Sequence, residues 1–340
     1  MTRAGGPRIV VLAGGVGGSR FVLGVRAALR ARGIDDTAAR LTVVVNTGDD
    51  LWLSGVRLQP DHDSLLYALA GVGDTERGWG RAGESERVSA ELQAWGSGWP
   101  WFTLGDLDLG THLARTGWLR EGATPTEVAA RLGGRWSLGA RLIPMTDAEV
   151  DTRVTVAADA PDGEPGSERV LHFQEWWTRH RAALRPLRFD NPRIAEAVPA
   201  PGVIDAIADA DVVLLAPSNP VVSIGPILAV PGIRDAVRAS AAPVVGVSPI
   251  IGGRVVRGMA DVCLAAIGVD TDAAAVAAHY GARRDPSGLL DAWLLAEEDA
   301  DAAGRVSGAG IRPVVVPLWM TDAARSARLA EDALRAAGLT

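Results

Sequence analysis

The sequence predicts an α/β protein: a doubly wound, Rossmann-like parallel sheet with an inserted lobe of mixed helical and β structure. Three observations lead there. Apolar runs of strand length, such as "RIVVLA" (8–13) and the start of "LTVVVNTGDD" (41–50), end in glycine or polar residues, as strands covered on both faces do. Helically spaced segments separate these runs, which implies right-handed crossovers and a parallel sheet. The same alternation returns after residue 205.

Taken in order, "FVLGVRAALRARG" has helical spacing and ends on Gly33, a residue type suited to the left-handed position just past a helix. "PDHDSLLYALAG" (60–71) predicts a second helix, with Asp61 or Asp63 at its start as cap or ligand. Residues 76–195 differ: they hold most of the tryptophans and helical stretches such as "TPTEVAARLG". They also carry an antiparallel pair, "DTRVTVAAD" and "SERVLHFQEW", joined by a turn at "APDGEPGS". This section is the expected inserted lobe, and 1–75 with 196–340 the nucleotide-binding core. In the second half, "DAIADA" closes a helix, "DVVLLA" (211–216) is a strand and "PSNPVVSIGPIL" leads into a helix. "APVVGVSPIIGG" (242–253) is a strand and loop, "DVCLAAIGV" and "RPVVVPLWM" are further apolar segments, and "DAARSARLAEDALRAAG" is a capped amphipathic helix.

Composition narrows the chemistry. A net charge of −7 gives no basic stripe for nucleic acid and no cationic membrane face. No uninterrupted apolar stretch reaches the ~18 residues of a transmembrane helix, and no secretory leader pattern is present. A soluble, cytoplasmic protein is expected. All 34 basic side chains are arginine, so no lysine can act on a phosphate, form a Schiff base or serve as a base. One cysteine, Cys263, in an apolar run, excludes an internal disulfide and a multi-thiolate metal site.

Ligands of open α/β sheets sit beyond the carboxyl ends of the strands. Four loops compete for that place. The first, "AGGVGGSR", carries Gly14, Gly15, Gly17 and Gly18, but a dinucleotide fingerprint would need glycine where Arg20 stands. It also resembles the L-x-G-G-x-G-T-R loop of sugar-nucleotide pyrophosphorylases, which add lysines that this chain lacks. A phosphate cradle at a helix start, or a tight turn with no ligand, fits equally. The second loop places Asp49 and Asp50 at a strand end, with Asp61 and Asp63 beyond, a set of oxygen donors suited to magnesium or merely to capping. The third offers Ser218 and Asn219; the fourth offers Ser248, Gly252 and Gly253, then Arg254 and Arg257, for phosphate or for the surface. Within the lobe, Asp106, Asp108, Thr111 and His112 cluster at a helix start.

Together "LAGGVGGSRF", "VVNTGDDLW", "PDHDSLLYALAG", "LGDLDLGTHLART", "IPMTD", "HFQEWW", "APSNPVVSIGPILAVPGIR" and "VSPIIGG…RGMAD" resemble one family, from about residue 8 to about residue 322. It is the 2-phospho-L-lactate transferase (CofD) family, in its actinobacterial form of coenzyme F420 biosynthesis. The resemblance implies a guanosine-diphosphate-linked donor carrying an enolpyruvyl or lactyl group. The acceptor would be the ribityl hydroxyl of the deazaflavin Fo, with release of GMP, a requirement for Mg2+ and a homodimer. It implies that Gly14, Gly15, Gly17, Gly18, Arg20, Ser218, Asn219, Ser248, Gly252, Gly253 and Arg254 meet the donor. Asn46, Thr47, Trp52, Asp63, Thr111 and His112 would meet Fo, with Trp79 and Phe173 as further candidates for its ring. Asp50 and Asp63 are the first choices for catalysis and metal, with Asp49 and Asp61 beside them. Leu107 stands where the family pattern carries a basic residue. Competing readings are a nucleotide-sugar-binding regulator of the gluconeogenesis-factor type and a sugar nucleotidyltransferase.

Overall fold

A computed structural model describes residues 6–98, 100–157 and 168–339. The predicted turn at 160–167 lies outside the described residues. Seven strands form the central sheet: β1 (Ile9–Ala13), β2 (Leu41–Val45), β3 (Arg141–Pro144), β4 (Val212–Leu215), β5 (Val244–Val247), β6 (Ala292–Leu295) and β7 (Arg312–Val315). Every neighbouring pair is parallel and the order is 3-2-1-4-5-6-7. This is the doubly wound arrangement, with its reversal point between β1 and β4.

Alternation along β1 explains the layering. Ile9, Val11 and Ala13 face one core with the helices α1 (Gly15–Ala31), α2 (Pro60–Ala70) and α4 (Ala323–Ala336). Val10 and Leu12 face the second core, which contains Val203, Ile227 and Val276. Both faces are therefore covered, which is why the strands read as unbroken apolar runs. Helix α1 ends as its sequence suggests: Arg32 is the C-cap and Gly33 follows at φ +76°. Asp322 caps α4 through Arg325 N–H.

The segment expected as a lobe contributes to two places. Its antiparallel pair is present (Arg153–Ala157 with Glu168–His172) and gains a third strand, Pro186–Asp190. Thr124 and Glu127 form a reciprocal capping box on the helix Pro125–Gly133. Residues 141–144, however, return to the central sheet and pair with β2. "RLIP" is too short and too plainly flanked to be legible as a core strand. β6 is likewise not singled out by the sequence, whereas "DVCLAAIGV" supplies the helix Ala260–Ala266 rather than a strand. No single helix among the described residues is long and apolar enough to cross a membrane.

Helices α1 and α4 cross at backbone contact. A Cβ on Gly24 would lie 2.2 Å from Ser326 O and 2.6 Å from Ser326 C, atoms that cannot swing aside. Gly24→Ala is expected to destabilise by about 1–3 kcal/mol despite the better helix propensity of alanine. A lower urea midpoint at unchanged slope checks this; an equal or higher midpoint would mean the helices separate freely.

Candidate active site

A cavity of about 830 Å3 opens beyond the carboxyl ends of β1, β2 and β4, at the reversal point. Its floor is the turn from β1 into α1. Gly14 is extended and Gly15 left-handed, at φ +64°. The four glycines serve the chain itself as well as any ligand. A Cβ on Gly14 would meet Asp61 Oδ2 at 2.2 Å, one on Gly17 would meet Pro217 O at 2.7 Å, and one on Gly18 would meet Ser218 Oγ at 2.7 Å. Glycine lets α1 start against the β4 loop. Ser218 Oγ locks the two loops together, accepting from Gly14 N–H (3.1 Å) and donating to Gly14 O (2.6 Å).

All four candidate aspartates are buried, yet they divide into different settings. Asp49 and Asp61 share one amide: Asn46 Nδ2 donates to Asp61 Oδ2 at 2.8 Å and approaches Asp49 Oδ1 at 3.4 Å. Both line the cavity. Burial, with the neighbouring charges of Asp61 and Asp50, pushes the Asp49 carboxyl well above the ordinary range. Burial also pushes Asp61 up to about 6, against hydrogen bonds from Asn46 and the Gly15 N–H. A crowded pair of hard oxygen donors, with no ion pair to a side-chain cation among the described residues, fits Mg2+. Asp50 is placed otherwise. It takes Gln59 Nε2 at 2.7 Å, faces Arg57 at 3.6 Å and does not line the cavity. Burial nevertheless holds it up to about 8.

Asp63 belongs to a second cluster. Its Oδ1 accepts from the wholly buried Arg115, on α3 (Asp106–Arg120). Burial raises its carboxyl, but Arg115 and a hydrogen bond from His62 hold it well below the usual range. Asp63 is thus charge-compensated by protein. Neither Asp61 nor Asp63 caps α2, although both sit in its first turn. The acids are also held by a neighbouring histidine. Gln174 N–H donates to His172 Nδ1 (3.1 Å), so His172 Nε2 carries the hydrogen and donates to Asp50 O at 3.2 Å. The "HFQEWW" segment thereby buttresses the acidic loop from outside.

Other predicted residues separate as clearly. Arg20, Ser218, Asn219, Ser248, Asp63, His112, Trp79 and Phe173 line the cavity. Asn219 also caps the turn at Val221 and Val222, and Ser248 closes its own turn with Ile250. Gly252 and Gly253 do not line the cavity: their N–H groups donate at 2.9 Å each to Asp299, so a resident carboxylate fills that nest. Arg254 is exposed on a short hairpin outside the cavity. Trp52 also lies outside it, with its indole bonded to Glu149. Thr47 and Thr111 are buried beside the site without lining it. Sequence reading missed Arg57, Arg115 and Tyr67, and the aromatic wall of Trp101, Phe102, Trp177 and Trp319. The lobe's high tryptophan content was the available signal for part of that wall.

With the site described, its relatives can be placed. A family model described as 2-phospho-L-lactate transferase CofD matches residues 9–318. The chain is 48% identical over 346 residues to a phosphoenolpyruvate transferase of Mycobacterium avium, covering 98% of this chain and 99% of that one. It is 51% identical over 328 residues to one of Streptomyces coelicolor, covering 96% and 97%. A crystal structure of a UPF0052 family protein from Bacillus halodurans superposes at TM-score 0.58 and 17% identity, covering 96% and 99% of the two chains. That likeness is one of fold.

The Asp299 contact yields a test. Asp299→Ala strands two amides that now donate to a charged group, and is expected to cost about 1.5–3 kcal/mol. The measurement is the urea midpoint; no change would mean those amides do not depend on the carboxylate.

Proposed function

The chain belongs to the CofD family and is a transferase; on that premise we propose that it moves a phosphoenolpyruvyl group from a guanosine-diphosphate-linked donor to the ribityl hydroxyl of Fo, in coenzyme F420 biosynthesis. The new bond joins the ribityl oxygen to the donor's terminal phosphorus. The anhydride bond breaks and GMP leaves. A 2-phospholactyl donor differs by few atoms, and the names of the curated relatives favour the enolpyruvyl form.

One observation carries this reading: a single cavity is lined both by a glycine–acid floor at a helix start and by a set of aromatic side chains. The floor suits a diphosphate and the wall suits a flat heterocycle. Gly15 and Gly17 open α1 toward the floor, while Arg20 and Arg257 supply fixed positive charge at its edge. Asp49 and Asp61 would hold Mg2+, which would neutralise diphosphate charge as the anhydride breaks. Asp63 Oδ2 is buried, 3.6 Å from His112 Nδ1, and makes no hydrogen bond among the described residues; it would accept the hydroxyl of Fo. Covalent catalysis by thiol has no support, since burial pushes the Cys263 thiol up to about 12. Direct transfer then rests on positioning and charge neutralisation.

The decisive assay combines Fo with enolpyruvyl and lactyl guanosine-diphosphate donors and reads product mass and GMP. An enolpyruvyl product is expected. Pyrophosphate release from a nucleoside triphosphate, independent of Fo, would replace this reading with a nucleotidyltransferase. Asp61→Asn should lower turnover by about 100-fold or more and abolish the rise in melting temperature on adding Mg2+, with an unchanged circular dichroism spectrum. Wild-type turnover and Mg2+ response in that variant would move the metal away from Asp61.

A further inference from the structure

One cluster in the cavity wall has the composition of a metal site and the bonding of something else. Asp63, Asp108 and His112 offer ligand atoms that all lie within 4.8 Å of one another, and all three line the cavity. Asp108, His112 and Arg115 share a face of α3. The Arg115 guanidinium reaches Asp63 Oδ1 with Nη2, and with Nη1 it donates to His112 Nδ1 at 2.9 Å and to Arg57 O at 3.2 Å. Guanidinium has donors only. His112 Nδ1 must therefore offer its lone pair to Arg115, and in the neutral ring the hydrogen sits on Nε2. That nitrogen is buried 3.3 Å from Asp108 Oδ1 without a well-formed hydrogen bond. Asp108 Oδ1 is already engaged by Tyr67 OH at 2.6 Å. A ring nitrogen that bears hydrogen cannot ligate a metal, and the positive charge that a metal would bring is already present.

We propose that Arg115 is a positioning residue, the built-in cation of this cluster, which pins Asp63 through Oδ1 and locks His112 in its Nε2–H tautomer. Two consequences follow. His112 does not act as a general base, because one ring nitrogen is committed to Arg115 and the other already carries hydrogen. The cluster instead holds one acceptor, Asp63 Oδ2, and one donor, His112 Nε2–H, both buried and neither engaged in a hydrogen bond among the described residues. A hydroxyl group, which both donates and accepts, matches that pair. The hydroxyl clause rests on the transferase reading above; the tautomer does not.

The test uses the full chain labelled with 15N-histidine, with the His112 signals assigned through His112→Gln and read without substrate near neutral pH. The expected result is the neutral Nε2–H form in the wild type. In Arg115→Lys, whose single ammonium cannot serve both partners, a mixture of tautomers is expected. An Nδ1–H or imidazolium His112 in the wild type, or a spectrum unchanged by Arg115→Lys, overturns the proposal. In turnover assays, Arg115→Lys should lose about 10- to 100-fold in kcat with the donor KM little changed. Folded Arg115→Ala should recover part of its loss with added guanidinium ion. A rise in KM for both substrates without guanidinium rescue would reduce Arg115 to scaffold and overturn the positioning role. A wild type without Fo-dependent turnover would sink the proposed reaction, while the nitrogen spectra would still decide the tautomer.

Discussion

The architecture hangs on the approach of two loops at the reversal point of the sheet. There the chain leaves β1 for one face and β4 for the other, so two backbones diverge from neighbouring strands and open a crevice. Such an opening exposes polar backbone that must be partnered. One side chain does much of it: Ser218 Oγ serves both the N–H and the carbonyl of Gly14. The bond closes only because Gly14, Gly17 and Gly18 leave room for Asp61, Pro217 and Ser218. Glycine here is a requirement of packing first, and whatever gathers in the crevice inherits a backbone already drawn close.

The acidic floor shows two solutions to one electrostatic problem. Several carboxylates buried together repel one another and lose their water. Around Asp63 and Asp50 the protein answers with its own arginines, Arg115 and Arg57. Around Asp49 and Asp61 the described residues supply neutral donors instead, the shared amide of Asn46 and the Gly15 N–H on Asp61. The uncompensated pair lines the cavity, so the deficit of positive charge lies on the floor that faces a ligand. The contrast separates residues that the sequence presents as four similar aspartates within fifteen positions.

What was legible in the sequence follows from the range of each interaction. Strands β1, β2, β4 and β5 were readable because burial on both faces leaves a local signature. The glycine loop, the acids and "PSNPVVSIG" were readable because strand-end position and residue type are also local. Arg115 was not, since its partner Asp63 lies 52 residues away and nothing in "THLART" marks that arginine as buried. Gly252 and Gly253 looked like phosphate donors because the carboxylate that engages them is 46 and 47 residues downstream. Trp52 looked like a ring platform because a flat heterocycle needs an aromatic slot; its indole instead turns to Glu149, 97 residues on.

The carboxylate of Asp299 also changes what those two glycine amides have to offer. Donors turned toward a resident carboxylate are satisfied within the chain, so this loop carries its own anion, and its two glycines stay out of the cavity lining that begins again at Val255.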